Sequence, residues 1–163
     1  VESDGGQRIG GGLMPKVRIA GFNDFNTSDT DGIAFSIFFQ GCHRRCPGCH
    51  NPELQSFDGG EEVDTDEIIQ RIQANQRFYD AVVFVGGEPL EQPVALKALL
   101  AAVRSIGLSA WLYTGYYILT ISDDIIDLCD VIIAGEYRQD LYTGGFPASS
   151  NQIVLDRRKE KVA

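Results

Sequence analysis

Three of the four cysteines fall within eight residues, in the stretch GCHRRCPGCHNPE at Gly41–Glu53. Three residues separate Cys42 from Cys46, and two separate Cys46 from Cys49. A disulfide framework spreads its cysteines to close loops, whereas clustering on a short loop containing Gly and Pro lets several thiolates converge on one centre. Two metal chemistries suit such a loop. One is a structural zinc site with three sulfurs and the His50 nitrogen. Adjacent Cys49 and His50 reach one tetrahedral centre only with difficulty, and structural zinc more often uses two separated ligand pairs. The other is a four-iron cluster, in which three loop thiolates leave one iron without a protein ligand. An open coordination position is where a metal site takes up a substrate or cosubstrate. Cys129 stands apart, between a helical stretch and an apolar one, and reads as a small core hydrophobe. His43 reads as an exposed loop residue.

Two further segments carry residues suited to holding a ligand. Gly86-Gly87-Glu88-Pro89 follows the apolar run Ala81–Val85. Glycines let a backbone approach a ligand closely, and Pro89 fixes the loop through its restricted φ. Taken alone, a Gly-Gly pair there is an ordinary turn. Thr114-Gly115-Tyr116 follows Ala110–Tyr113 in the same way.

The elements that must position these segments alternate. Val17–Gly21 and Ile33–Phe39 read as strands, with a polar loop at Asn23–Gly32 between them. Ile68, Ile69 and Ile72 mark a helix capped at Asp64 or Thr65, with Glu61, Glu62, Asp64 and Asp66 as its solvated start. Ala81–Val85 is a strand. Pro93–Ile106 is a helix with Leu96, Leu99, Leu100 and Val103 on one face and Gly107 as its stop. Ala110–Tyr113, a short helix from Asp123 to Leu128, Val131–Ala134 and Gln152–Leu155 complete the series. Strands alternating with helices predict parallel βαβ units and a single-domain α/β fold. There are too few units to close eight strands, so the expectation is a partial (β/α) barrel of about five or six mainly parallel strands, open on one side. Ligands in such sheets bind beyond the carboxyl ends of the strands. The cysteine loop, Gly86–Pro89 and Thr114–Tyr116 all follow strands, so they converge on one rim.

The 163 residues carry a net charge of −9 and are 44% hydrophobic. That length fits one domain, able to bury roughly 70% of its unfolded surface. The acidic balance argues against direct nucleic-acid binding, which calls for a basic footprint; Arg157-Arg158-Lys159 reads as a solvated tail. No apolar run has the length of a membrane span, and the clustered reduced cysteines predict a cytoplasmic setting. Val1–Leu13 is Gly-rich and precedes Met14, so it is set aside as a tag or linker, leaving 14–163 as the domain.

The spacing Cys42-x3-Cys46-x2-Cys49 resembles the signature of the radical S-adenosylmethionine superfamily. The chain resembles the activating proteins of anaerobic ribonucleoside-triphosphate reductase. GCHRRCPGCHNPE, VGGEPLEQP at Val85–Pro93, WLYTGY at Trp111–Tyr116 and SSNQIV at Ser149–Val154 carry the likeness. Gly48, standing before the third cysteine where the wider superfamily often has an aromatic residue, fits these activases and departs from pyruvate formate-lyase activase.

The resemblance implies a 4Fe-4S cluster on Cys42, Cys46 and Cys49, with S-adenosylmethionine chelating the fourth iron. It implies cleavage of that cosubstrate to a 5′-deoxyadenosyl radical, which takes a hydrogen atom from a glycine near the reductase carboxyl terminus. Gly86, Gly87, Glu88 and Pro89 are the implied contact for the methionyl amino group. Thr114, Gly115 and His50 line the same pocket in this reading. No general base is assigned, because hydrogen-atom abstraction does not require one. A bulky residue at Gly87 is expected to obstruct the cosubstrate while sparing the cluster. The implied partners are the reductase large subunit and a flavodoxin- or ferredoxin-type electron donor. Two alternatives stand beside this. One is a radical enzyme acting on a small molecule, like 7-carboxy-7-deazaguanine synthase. The other is a non-catalytic zinc-binding module.

Overall fold

The computed structural model describes residues 8–9, 12–49 and 51–158. Its main body is a seven-stranded mixed sheet. The strands are β1 (Lys16–Asn26), β2 (Ala34–Phe39), β3 (Glu61–Asp64), β4 (Ala81–Gly86), β5 (Ser109–Thr114), β6 (Val131–Ala134) and β7 (Ile153–Asp156). Their spatial order is β3-β1-β2-β4-β5-β6-β7. The helices are α1 (Thr65–Ala74), α2 (Pro93–Ser105) and the short α3 (Asp123–Ile126). Arg8–Ile9 pairs with Gly12–Leu13 in a separate two-stranded ladder; the rest of Val1–Leu13, set aside in the sequence reading, lies outside the described residues.

The open α/β architecture matches the expectation, with seven strands in place of five or six. β2, β4, β5 and β6 form the parallel centre. Both flanks are antiparallel: β1 runs against β2 and β3, and β7 runs against β6. The difference arises where alternation with helices fails. β1 extends to Asn26, through the Asn- and Asp-rich stretch read as loop, because its pairing with β2 continues to Asn26↔Ala34. The acidic Glu61–Asp64 stretch is an edge strand rather than a solvated helix start, in register with Lys16–Ile19. Asp64 does precede α1, but its side chain accepts from Lys16 Nζ at 3.2 Å instead of capping the helix. Asp66, expected in solvent, is buried and accepts from Gln70.

Alternation along the strands buries both faces. One face carries Phe35, Ile37, Phe39, Val82, Phe84, Ala110, Leu112 and Ile132. It packs against Ile68, Ile69 and Ile72 of α1, against Leu96, Leu99, Leu100 and Val103 of α2, and against Ile125 of α3. Cys129 belongs to this core and is fully buried, as its sequence context predicted. Burial pushes its thiol up to about 12. The second face carries Ala34, Ala81, Val83, Trp111, Val131 and Ile133, and loops rather than helices cover it. Phe146 meets Trp111 edge-on at 5.5 Å, and Tyr113 Oη donates to Asp29 O at 2.5 Å.

Candidate functional site

The register of the parallel strands sets the rim. Phe39 pairs with Gly86, Phe84 with Leu112, and Thr114 with Ala134. β2, β4, β5 and β6 therefore end level, and the chain leaves each end into a different loop. The cysteine loop follows β2, Gly87–Glu91 follows β4, Gly115–Tyr117 follows β5, and Gly135–Arg138 follows β6. A cavity of about 150 Å³ lies among these exits. Cys42, Cys46 and Cys49 line it together with Gly86, Gly87, Glu88, Thr114 and Gly115. Residues the sequence placed on one rim thus share one wall.

Backbone hydrogen bonds brace the base of the cysteine loop. Gly41 N donates to Leu54 O at 2.7 Å, and Cys42 N to Gln55 O at 3.0 Å. Gly87 N donates to Phe39 O, and Glu88 N to Gly41 O, both at 2.8 Å. The two loops are therefore sewn together, and glycine is required at the seam. Gly86 sits at φ +117°, and a Cβ on Gly87 would lie 2.5 Å from Gly41 O. The obstruction expected at Gly87 therefore falls on the cysteine loop and not on the cavity. At the loop's far end Gly48, at φ +72°, packs against Gln139.

Glu88 ties the rim together. It is 2% exposed, and its carboxylate accepts from Leu90 N, Gly115 N and Thr114 Oγ1 at 3.0, 2.8 and 2.7 Å. Burial raises its pKa against the lowering effect of these donors. Pro89 is buried at the start of a short turn and does not line the cavity. Burial likewise raises the Cys42 and Cys46 thiols, so metal binding there releases protons. His43 is exposed, as expected, and its Nδ1 contacts Glu91, which also accepts from Tyr116 Oη. His50 lies outside the described residues.

Sequence reasoning missed several lining residues: Arg44, Asn51, Tyr137 and Gln152. The Ser149–Val154 stretch carries part of the resemblance and overlaps the expected Gln152–Leu155 strand; its side chains also do structural work. Asn151 donates to Glu136 O and Gln152 to Gly135 O, while Ser149 Oγ accepts from Arg138 N. These bonds hold the segment leaving β6 against the cavity. Their pattern is side chain to distant backbone, which leaves no periodic trace in a sequence.

Three thiols line one cavity and fit an iron–sulfur cluster; the fourth ligand of the zinc reading, His50, lies outside the described residues. A family model described as 4Fe-4S single cluster domain matches residues 29–155. The chain belongs to this family. Among curated relatives, the pyruvate formate-lyase-activating enzyme of Clostridium pasteurianum is 30% identical over 120 residues, covering 71% of this chain and 50% of that protein. The anaerobic ribonucleoside-triphosphate reductase-activating protein of Salmonella typhimurium is 29% identical over 136 residues, covering 76% and 88%. The chain thus spans half the length of the first and most of the second. The departure read at Gly48 does not separate the two in overall identity. The crystal structure of QueE from Escherichia coli superposes with a TM-score of 0.56 at 16% identity, covering 83% of this chain and 65% of that one. That likeness concerns the fold. Among the described residues, no helix is long and apolar enough to cross a membrane.

Proposed function

We propose that this chain is a radical S-adenosylmethionine activase that generates a glycyl radical on anaerobic ribonucleotide reductase. The observation that carries this reading is the convergence of Cys42, Cys46 and Cys49 with Gly86–Glu88 and Thr114–Gly115 on one cavity. The three thiols are the ligands of a 4Fe-4S cluster. When bound and reduced, the cluster supplies the electron that cleaves the sulfur–carbon bond of S-adenosylmethionine. The choice of reductase over pyruvate formate-lyase is supported by the motif likeness at Cys42–Glu53, Trp111–Tyr116 and Ser149–Val154.

The chain's own residues orient the cosubstrate and exclude water. Gly87 N and Glu88 N are both committed within the protein. Any backbone contact from this loop to the methionyl amino group, a donor, therefore runs through carbonyl oxygens. Glu88 keeps Thr114 and Gly115 in place beside that loop. Val85, Tyr113 and Ala148 supply apolar wall, suited to the adenosyl portion. The glycine target enters from the open side of the sheet on a flexible terminal segment of the reductase, because a folded glycine cannot reach the cavity. A flavodoxin- or ferredoxin-type protein supplies the electron.

The test mixes anaerobically reconstituted, reduced protein and S-adenosylmethionine with either anaerobic ribonucleotide reductase or pyruvate formate-lyase. Electron paramagnetic resonance reads the product. A glycyl radical on the reductase, lost when its glycine-bearing terminal segment is removed, is expected. A radical on pyruvate formate-lyase alone reassigns the partner. Formation of 5′-deoxyadenosine with no glycyl radical on either protein replaces the activase with a small-molecule enzyme.

A further inference from the structure

Arg44 lies between the first two cysteines, and its side chain turns into the cavity. Its neighbour Arg45 is exposed and spends its guanidinium on Cys42 O and Arg44 O. Arg44 differs in being both held and unsatisfied. Its guanidinium carbon stands 4.9 Å from the Tyr116 ring centroid, in a cation–π contact. A Cβ on Gly115 would lie 2.6 Å from Arg44 Cδ and 2.8 Å from Nε. The absence of a side chain at Gly115 thus makes the channel through which Arg44 passes. At its end, Arg44 Nε is buried with no hydrogen-bond partner.

An unpaired buried donor on a cation is costly. The nearby carboxylate does not relieve it: the hydrogen bonds Glu88 accepts come from Leu90, Thr114 and Gly115, and Arg44 Nε has no partner. Among the described residues lining the cavity, Arg44 is the sole cation and Glu88 the sole carboxylate. A pre-positioned, planar guanidinium with an open donor matches a carboxylate or a phosphate, and of the two S-adenosylmethionine carries only a carboxylate.

Building on the activase reading, we infer that Arg44 binds the α-carboxylate of the methionyl portion of S-adenosylmethionine and so selects the intact cosubstrate. The amino group and the carboxylate sit on one carbon. A donor from the cysteine loop and acceptors from the Gly86–Glu88 loop then grip that carbon from two sides. Gly115 serves the site indirectly, as the gap that admits Arg44.

The test compares Arg44→Gln with the unaltered protein, both reconstituted without oxygen. Iron and sulfide content is measured first, then equilibrium binding of S-adenosylmethionine and of its decarboxylated analogue. Arg44→Gln is expected to keep its cluster and to weaken S-adenosylmethionine at least tenfold, or 1.4 kcal/mol. The decarboxylated analogue is expected to change by less than about twofold, because it offers Arg44 nothing to bind. Equal weakening of both ligands, or of neither, overturns the assignment and leaves Arg44 as a counter-charge for Glu88. If Arg44→Gln loses iron, Arg44→Lys carries the comparison, since it retains the cation. A loss of about threefold confined to the carboxylate-bearing ligand is then expected, and equal losses again refute it. An unaltered, cluster-bearing protein that binds no S-adenosylmethionine overturns the activase reading itself, and this proposal with it. Binding without a glycyl radical on either partner overturns only the choice of target.

Discussion

Replacing Gly87 by Ala tests whether the two loops are one mechanical unit. The added methyl would stand 2.5 Å from Gly41 O and 2.7 Å from Leu54 O. Both are backbone atoms, so no side chain can swing aside. Relief requires moving the cysteine loop away from the end of β4. That strains the Glu88 N to Gly41 O bond and the Gly41 N to Leu54 O bond, at 2.8 and 2.7 Å. Two backbone hydrogen bonds contribute about 1–3 kcal/mol together, and overpacking adds about 1–3 kcal/mol. The sum, about 2–6 kcal/mol, lowers the midpoint of thermal unfolding on the order of 10 °C for a chain of this size. Because the strain falls on the loop that carries the thiols, iron retention drops with stability. Gly21→Ala is the control, since nothing lies within 4 Å of its Cβ. The assay is a thermal melt of reconstituted protein together with its iron and sulfide content. A Gly87→Ala protein with unaltered midpoint and full iron would refute the reasoning.

The cysteines divide sharply. Cys46→Ala should abolish cluster incorporation, while Cys129→Ala, a change in the fully buried helix-facing core, should keep full iron at a cost of about 1–2 kcal/mol; comparable iron in the two variants would contradict this. Glu88→Gln places an amide where three donors converge, so it should cost about 1–3 kcal/mol. The same change tests a pH effect. A carboxyl whose folded pKa is raised binds more protons folded than unfolded, so its contribution is full below the ordinary carboxylate range and is lost as pH rises through the raised value. Melts across that window should slope downward in the unaltered protein and flatten in Glu88→Gln; an identical slope in both counts against the burial argument.

Local features of the chain were legible wherever local spacing sufficed. Cys42, Cys46 and Cys49 converge because a short loop allows little else. α2 follows from its apolar face and Gly107, and the parallel centre from apolar runs alternating with helices. What depends on distant partners was not legible. Glu61–Asp64 looks like a solvated acidic stretch until Lys16–Ile19 pairs with it. β7 runs antiparallel because the chain after β6 returns through a loop that holds a short 3-10 turn and no α-helix. Gly87 reads as room for a ligand, yet the space its missing side chain leaves is filled by Gly41 and Leu54. Arg44 and Arg45 are the same residue type, side by side. Their separate fates rest on the path of the cysteine loop over Tyr116 and on the gap at Gly115. The sequence alone determined which chemistry the chain carries, because ligand identity and short spacing are local properties. The tertiary structure alone decided which side chains face it, because orientation is set by contacts among loops far apart in the chain.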